Sequence, residues 1–151
     1  MIRAIVLDSG PLALLVHQRP GPMVTQCIAW LKSKTDLGVR IYVPEIVDYE
    51  LRRELLRLEL SAAISDLDAF SALAPDRFLR LTSSDLRKAA ELWAQARKAG
   101  RPTSHQHELD VDVILSAQAI SLGLPSDDFV VATSNVGHIS RFVRAAHWSA
   151  I

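Results

Sequence analysis

The sequence predicts an α/β fold, a three-layer α/β/α sandwich in which a central, mainly parallel sheet lies between two layers of helices. Two observations lead to this prediction. Short apolar runs alternate with helical segments along the chain, which is the pattern of successive βαβ units. No repeat, low-complexity tract or linker interrupts the alternation, and 151 residues are typical of one domain, so we expect a single domain over residues 1–151.

The first half of the chain contains two predicted strands and four predicted helices. The strands cover residues 2–7 and 41–43, and the helices cover about 10–17, 21–34, 44–60 and 62–73. Pro11 and Pro44 stand at helix starts, where the missing N–H of proline costs little. Apolar residues recur at spacings of three and four in the helices, and Gly38 follows the second helix.

The second half contains two more clear strands, a short edge strand and two helices. The strands cover 78–81 and 129–133, with the edge strand near Trp148, and the helices cover about 85–99 and 109–122. Ser83 or Ser84 is expected to cap the first of these helices, and Gly100 and Gly123 mark the helix ends. A polar loop is predicted over residues 100–108.

Composition places the chain among ordinary water-soluble proteins, with 49% hydrophobic and 23% charged residues. Cys27 is the only cysteine, which excludes an intramolecular disulfide and a cysteine-based zinc site. The apolar run at residues 4–7 is too short for a signal-peptide core or a membrane span. We therefore expect a cytoplasmic protein without a membrane partner.

The formal net charge is zero, but the charges are unevenly distributed. Residues 77–107 carry seven Lys or Arg against two acids, and residues 108–128 carry five acids and no base. Such neighbouring blocks suit a metal site that handles a polyanion. Two solvated helix faces would produce the same pattern, so this alternative stays open.

Acidic residues occupy three places that the predicted fold would bring to one crevice. Asp8 closes the first strand and Asn135 follows the last long strand, and ligands of parallel α/β sheets bind outside the carboxyl ends of strands. The remaining acids stand on two helices: Glu45, Asp48, Glu50 and Glu54 on one, and Glu108, Asp110 and Asp112 at the start of the other. Clustered carboxylates repel one another unless a cation neutralises them, and oxygen ligands favour Mg²⁺ or Mn²⁺.

Several of these acids also have a purely structural interpretation. Asp8 or Ser9 could cap the following helix, and Asp110 and Asp112 could favour a helix N-terminus through the helix dipole. Glu54 lies nearer the centre of its helix's apolar stripe than Glu50 does, so periodicity does not select Glu50.

Four segments in order resemble the PIN domain, the metal-dependent nuclease fold of VapC-type toxins in toxin–antitoxin pairs. They are LDSGPL at 7–12, VPEIVDYELRREL at 43–55, DVILSAQA at 112–119 and VVATSNVGHISRF at 130–142. Each motif alone is weak, but four in register cover essentially the whole chain.

The resemblance implies which residues act. It assigns the catalytic and metal-binding positions to Asp8, Glu50, Asp112 and Asn135. Many members have aspartate where this chain has Asn135, and an amide brings no charge, so Asp110 could take over that ligand role. Ser9 and Thr133 take supporting positions in the resemblance. For His138 we expect a structural or phosphate-binding role, because a metal-bound water would supply the nucleophile without it.

The implied activity is that of a Mg²⁺- or Mn²⁺-dependent endoribonuclease acting on single-stranded or looped RNA. Candidate contacts to the RNA backbone are Arg52, Arg53, Arg141 and Arg144. The implied partners are a cognate antitoxin protein and a second copy of the chain.

The residues also bear on two other classes of protein. A haloacid-dehalogenase-like phosphatase with Asp8 as nucleophile requires a second acid two residues later, where this chain has Gly10. A PIN-like RNA- or protein-binding module with a decayed site stays open because of Asn135.

Overall fold

A computed structural model describes residues 1–17, 19–100 and 106–151. In these ranges a five-stranded sheet is flanked by seven α-helices. The strands are β1 (Ala4–Leu7), β2 (Arg40–Pro44), β3 (Phe78–Leu79), β4 (Phe129–Thr133) and β5 (Ala145–His147). The helices are α1 (Ser9–Val16), α2 (Pro22–Asp36), α3 (Glu45–Arg57), α4 (Ser61–Ala72), α5 (Ser83–Lys98), α6 (Gln106–Ile120) and α7 (Val136–Ile139), and a 3₁₀ turn follows at Trp148–Ala150.

The sheet has the strand order β3-β2-β1-β4-β5, and every neighbouring pair is parallel. All residues of β1 and β4 are buried, because helices cover both faces of a parallel sheet. The predicted α/β sandwich is therefore confirmed. Strand order reverses between β1 and β4, since β2 lies on one side of β1 and β4 on the other.

Several predicted boundaries are corrected by local hydrogen bonds. Thr82, rather than Ser83 or Ser84, caps α5: its hydroxyl accepts from the Asp85 N–H while the Asp85 carboxylate accepts from the Thr82 N–H, which is a capping box. The strand predicted over 78–81 is only two residues long, because the Leu81 N–H donates to the Glu45 carboxylate at 2.5 Å and not to a neighbouring strand.

Other differences lie near the C-terminal half. Helix α6 begins at Gln106, so the end of the predicted 100–108 loop is helical, and residues 101–105 of that loop lie outside the described part. The edge strand ends just before Trp148, whose ring packs on the Trp30 ring with centroids 5.7 Å apart. The short helix α7 was not predicted. No helix in the described ranges combines the length and apolarity required to cross a bilayer.

Gln118 is a buried polar residue that joins three elements of the fold. Its side-chain oxygen accepts from the Ile46 N–H at 3.2 Å, and its side-chain nitrogen donates to the Leu79 carbonyl at 2.7 Å. It thereby ties α6 to the first turn of α3 and to β3. The signal available in the sequence was a long polar side chain inside the small-residue run of α6.

Cys27 is fully buried, and this burial raises the pKa of its thiol to about 11. At pH 8 the native protein is expected to react with a disulfide reagent roughly a hundredfold more slowly than the urea-unfolded chain, because only the thiolate is nucleophilic. Absorbance of the released thiol would measure both rates. Similar rates in the two states would contradict burial of Cys27.

Candidate active site

The candidate site lies at the carboxyl ends of β1 and β4, where the strand order reverses. Leu7 pairs with Ala132, so Asp8 and Thr133 follow directly on adjacent strands. This is the position at which open α/β sheets bind ligands. The start of α1 and the residue after β4 approach each other closely there, since a Cβ on Gly10 would lie 2.6 Å from the Ser134 hydroxyl oxygen.

Asp8 is held through both carboxylate oxygens. Its Oδ1 accepts from the Ser9 N–H at 2.7 Å, so Asp8 does cap α1, as the structural interpretation predicted. Its Oδ2 accepts from the Thr133 hydroxyl at 2.6 Å. The helix cap and the contact with the end of β4 are therefore not alternatives, because a different oxygen of Asp8 makes each.

Thr133 links the two strands' ends. Its side chain is completely buried, and its hydroxyl oxygen, which donates to Asp8, also accepts from the Asn135 N–H at 2.8 Å. A hydroxyl can donate one bond and accept others at the same time. Thr133 thus fixes the Asp8 carboxylate and the backbone of Asn135 relative to each other.

The hydrogen-bonded set continues from Asn135 to His138, which lies near Asp112. The Asn135 side-chain nitrogen lies 3.0 Å from Nδ1 of His138, and that Nδ1 lies 3.6 Å from Oδ2 of Asp112. The side chains of His138 and Asp112 are 27% and 18% exposed, so both are largely covered by the surrounding structure while part of each remains accessible. We use the name site chain for this group of five side chains, which consists of Asp8, Thr133, Asn135, His138 and Asp112.

Helix α6 brings Asp112 to this crevice by packing closely on the sheet. Ser116, Ala117 and Ala119 on the next turns are buried, and small side chains allow a helix to approach its neighbours closely. The Ser116 hydroxyl donates to the Asp112 carbonyl at 2.7 Å.

Asp110 lies away from the site chain. Two residues along an α-helix correspond to a rotation of about 200°, so Asp110 and Asp112 project from nearly opposite sides of α6. Asp110 is exposed and lines an apolar groove with Leu86 and Trp93 of α5.

The acidic residues of α3 have different surroundings. Glu45 accepts the Leu81 N–H, and Glu54 pairs with Arg57, whose hydrogen bond lowers the pKa of the Glu54 carboxyl. Asp48 binds Arg52. Glu50 is half-buried on a helix that packs against α1 and α6.

The four arginines predicted near the site have different surroundings. Arg52 contacts Asp48 at 2.8 Å and Asp68 at 2.6 Å, and these hydrogen bonds raise the pKa of its guanidinium. The Arg53 guanidinium lies 5.5 Å from the centre of the Tyr49 ring. Arg144 donates to the Asp127 carbonyl, whereas Arg141 is exposed beside a cavity of about 230 Å³ at the end of α5.

The donor chemistry of the site chain fits a hard divalent cation. Asp8 and Asp112 offer carboxylate oxygens and Asn135 an amide oxygen, the ligand types that Mg²⁺ and Mn²⁺ prefer. Over the described ranges, no three His, Cys, Asp or Glu side chains are grouped so as to hold a metal ion. The oxygen ligands are thus present, but the acids are not gathered into a closed cluster.

The geometry agrees with comparisons to known proteins. The PIN domain family model matches residues 5–141. No curated protein matches the sequence. Three solved structures share the fold over nearly their full length. FitAB bound to an IR36 DNA fragment is 20% identical, with coverage of 97% of this chain and 96% of that chain and a TM-score of 0.69. VapBC2 from Rickettsia felis bound to a DNA fragment from its promoter is 14% identical, with coverage of 96% and 98% and a TM-score of 0.67, and VapBC-1 from nontypeable Haemophilus influenzae is 17% identical, with coverage of 97% and 98% and a TM-score of 0.66.

The family model covers most of the chain, and the all-parallel α/β sheet agrees with it. The chain belongs to the PIN domain family, whose VapC-like members are nucleases.

Proposed function

We propose that this protein is a Mg²⁺- or Mn²⁺-dependent endoribonuclease and the toxin of a toxin–antitoxin pair. The observation that carries the proposal is the site chain, in which Thr133 hydrogen-bonds Asp8 at the end of β1 to Asn135, and His138 lies 3.0 Å from Asn135 and 3.6 Å from Asp112 of α6. Two carboxylates placed around one hydrogen-bonded set at a topological switch point are more than helix caps require.

Asp8, Glu50 and Asp112 would hold the cation, with Asn135 assisting through its amide oxygen. When bound, Mg²⁺ or Mn²⁺ supplies an acidified water molecule and neutralises negative charge on a phosphodiester. Asp110 is left out of this set because it faces α5. Hydrolysis adds one water across one P–O bond, so the products are a phosphate monoester end and a hydroxyl end.

The chain's own residues orient the ligands. The Ser9 N–H and the Thr133 hydroxyl each occupy one lone pair of Asp8, which fixes the plane of the carboxylate and leaves its other lone pairs available. Gln118 fixes α6 against the start of α3, which sets the spacing between the helices that carry Asp112 and Glu50. Such positioning lowers the cost of ordering a reacting phosphate.

The RNA backbone would be bound by exposed cations at the rim. Arg53 and Arg141 remain candidates because both are exposed. Arg52 is occupied by two carboxylates, and Arg144 has its contact with the Asp127 carbonyl, so neither is retained as a primary phosphate contact. We propose single-stranded or looped RNA because the crevice must reach an exposed phosphate.

An antitoxin and a second copy of the chain are the proposed partners, in a single-domain cytoplasmic protein. The structures that share this fold include FitAB and VapBC assemblies, which supports a protein partner. Tyr49 and Leu56 lie seven residues apart on α3, hence on one side of the helix, and both are exposed.

Light scattering should give the mass of a dimer for the purified protein, whereas a monomer mass at all concentrations would contradict the second copy.

The test is cleavage of a labelled single-stranded RNA by the purified protein. Cleavage is expected with Mn²⁺ or Mg²⁺ and is expected to stop when a chelator is added. Matched double-stranded RNA and single-stranded DNA of the same sequence serve as controls for substrate class. Cleavage that continues in excess chelator would contradict the metal dependence, and cleavage of the DNA alone would contradict the RNA assignment.

The presence of asparagine at position 135 supports a second candidate function, that of a PIN-like module that binds RNA or protein without cleaving it. An amide in place of a carboxylate brings one negative charge fewer to the site. Binding of the single-stranded RNA without cleavage under any of the metal conditions would support this candidate, and Asn135→Asp would then be expected to introduce cleavage.

A further inference from the structure

Asn135 stands at a helix N-terminus but does not cap the helix. Asparagine is among the best N-cap residues because its side-chain oxygen accepts a backbone N–H of the first turn. Asn135 is the N-cap residue of α7, yet its side chain makes no capping hydrogen bond. Its side-chain nitrogen contacts His138 Nδ1 at 3.0 Å instead. The amide is therefore held in a direction that helix stability does not require.

The chemistry of the two groups assigns the roles in this contact. The side-chain nitrogen of Asn135 can only donate, so Nδ1 of His138 is the acceptor in this contact. Asp112 Oδ2, at 3.6 Å from the same Nδ1, is beyond hydrogen-bonding distance. The amide oxygen of Asn135 then points away from the ring, and it accepts no hydrogen bond from any residue that the structure describes.

This orientation matters because an amide has only one oxygen. A carboxylate presents an oxygen to a cation whichever way it rotates about its last bond, whereas a rotated amide presents an NH₂ group that cannot be a ligand. A site with asparagine at this position needs a neighbour that determines which end of the amide faces the cation.

We infer that His138 is a positioning residue that fixes the Asn135 amide with its oxygen available to a divalent cation. Ile139, the next residue on α7, is fully buried and anchors the turn that carries His138. The backbone of Asn135 is anchored from the other side by Thr133. The inference rests on the proposed function, since it supposes that Asn135 assists the metal.

A double-mutant cycle on Mn²⁺ affinity, measured by electron paramagnetic resonance without RNA, tests this role. His138→Phe keeps a ring but removes the acceptor, and it is expected to weaken Mn²⁺ binding about tenfold, the usual size for a partner that orients a ligand. In the Asn135→Asp background the same change is expected to cost less than about twofold, because either carboxylate oxygen can bind. His138→Gln retains an acceptor and is expected to restore most of the affinity.

A second readout uses the metal-free protein. The Asn135 side-chain amide signals in a ¹⁵N NMR spectrum are expected to shift in His138→Phe and to stay near their wild-type positions in His138→Gln. His17→Phe is the matched control, because His17 lies at the other end of α1, where it pairs with Arg19. The control is expected to change neither the Asn135 signals nor the Mn²⁺ affinity.

The outcomes separate this inference from the proposed function. Equal losses of affinity in the wild-type and Asn135→Asp backgrounds, or unchanged Asn135 amide signals in His138→Phe, would overturn the positioning role while the nuclease proposal stands. Absence of Mn²⁺ binding in both the wild type and Asn135→Asp would overturn the metal dependence and this inference together.

Discussion

Asp8→Asn is expected to lower RNA cleavage by about 10²- to 10³-fold, because it removes the negative charge at the centre of the proposed cation site. The fold should be retained. Asparagine is as good an N-cap as aspartate, and its single oxygen can still accept from either Ser9 or Thr133. Initial rates on the single-stranded RNA and a thermal unfolding curve would measure the two effects.

The matched control is Asp36→Asn, which removes the same charge from the exposed last turn of α2, where Asp36 pairs with Lys32. This variant should cleave at the wild-type rate. Full cleavage by Asp8→Asn would mean that Asp8 is only a helix cap. A large loss of Tm in Asp8→Asn would mean that the rate measurement reports unfolding and that Asp8 is chiefly structural.

Thr133→Val has the second largest expected effect, because it removes the hydroxyl at the centre of the site chain and leaves the side-chain shape nearly unchanged. The Asn135 N–H loses its acceptor, and the Asp8 carboxylate loses the donor that the buried Thr133 hydroxyl supplies. The free energy of unfolding is expected to fall by about 1–3 kcal/mol. Cleavage is expected to fall by about 10- to 100-fold, as for other partners that orient a metal ligand.

Urea unfolding and cleavage rates would check Thr133→Val against two controls. Thr35→Val removes an exposed hydroxyl that bonds only to carbonyls of its own helix, and it should be nearly neutral. Thr133→Ser keeps the hydroxyl and should retain most of the activity. Equal losses in the Val and Ser variants would show that the methyl group of Thr133 matters and not its hydrogen bonds.

The long strands were predictable because each buried strand is an uninterrupted run of apolar or small residues. Residues 129–133 are apolar or small without interruption, and the observed β4 has those bounds. Boundaries that depend on contacts distant in sequence were predicted less well. The end of β3 is decided by Glu45, which lies 36 positions away from Leu81, and no local pattern carries that information.

The candidate site divides in the same way. Asp8 was indicated by a buried strand that ends on a carboxylate, and Asp112 by the small-residue face beside it. Glu50 could not be chosen by periodicity, because four acids share α3. The structure gives Glu45, Asp48 and Glu54 the partners Leu81, Arg52 and Arg57, and it packs the helix that carries all four acids against α1 and α6. The roles of Glu50 and the other site residues stay predictions until the variants are measured.

By itself, the amino-acid sequence determined the alternation of strands and helices, the burial of β1 and β4 and the residue types at their ends, since these depend on neighbours within a few positions. Tertiary structure alone decided that Asp8 both caps α1 and accepts from Thr133, that Arg52 is held by carboxylates of two helices, and that His138 contacts Asn135 and lies 3.6 Å from Asp112. The physical reason is that the direction of a side-chain hydrogen bond depends on which partner the packed helices and strands place within about 3 Å.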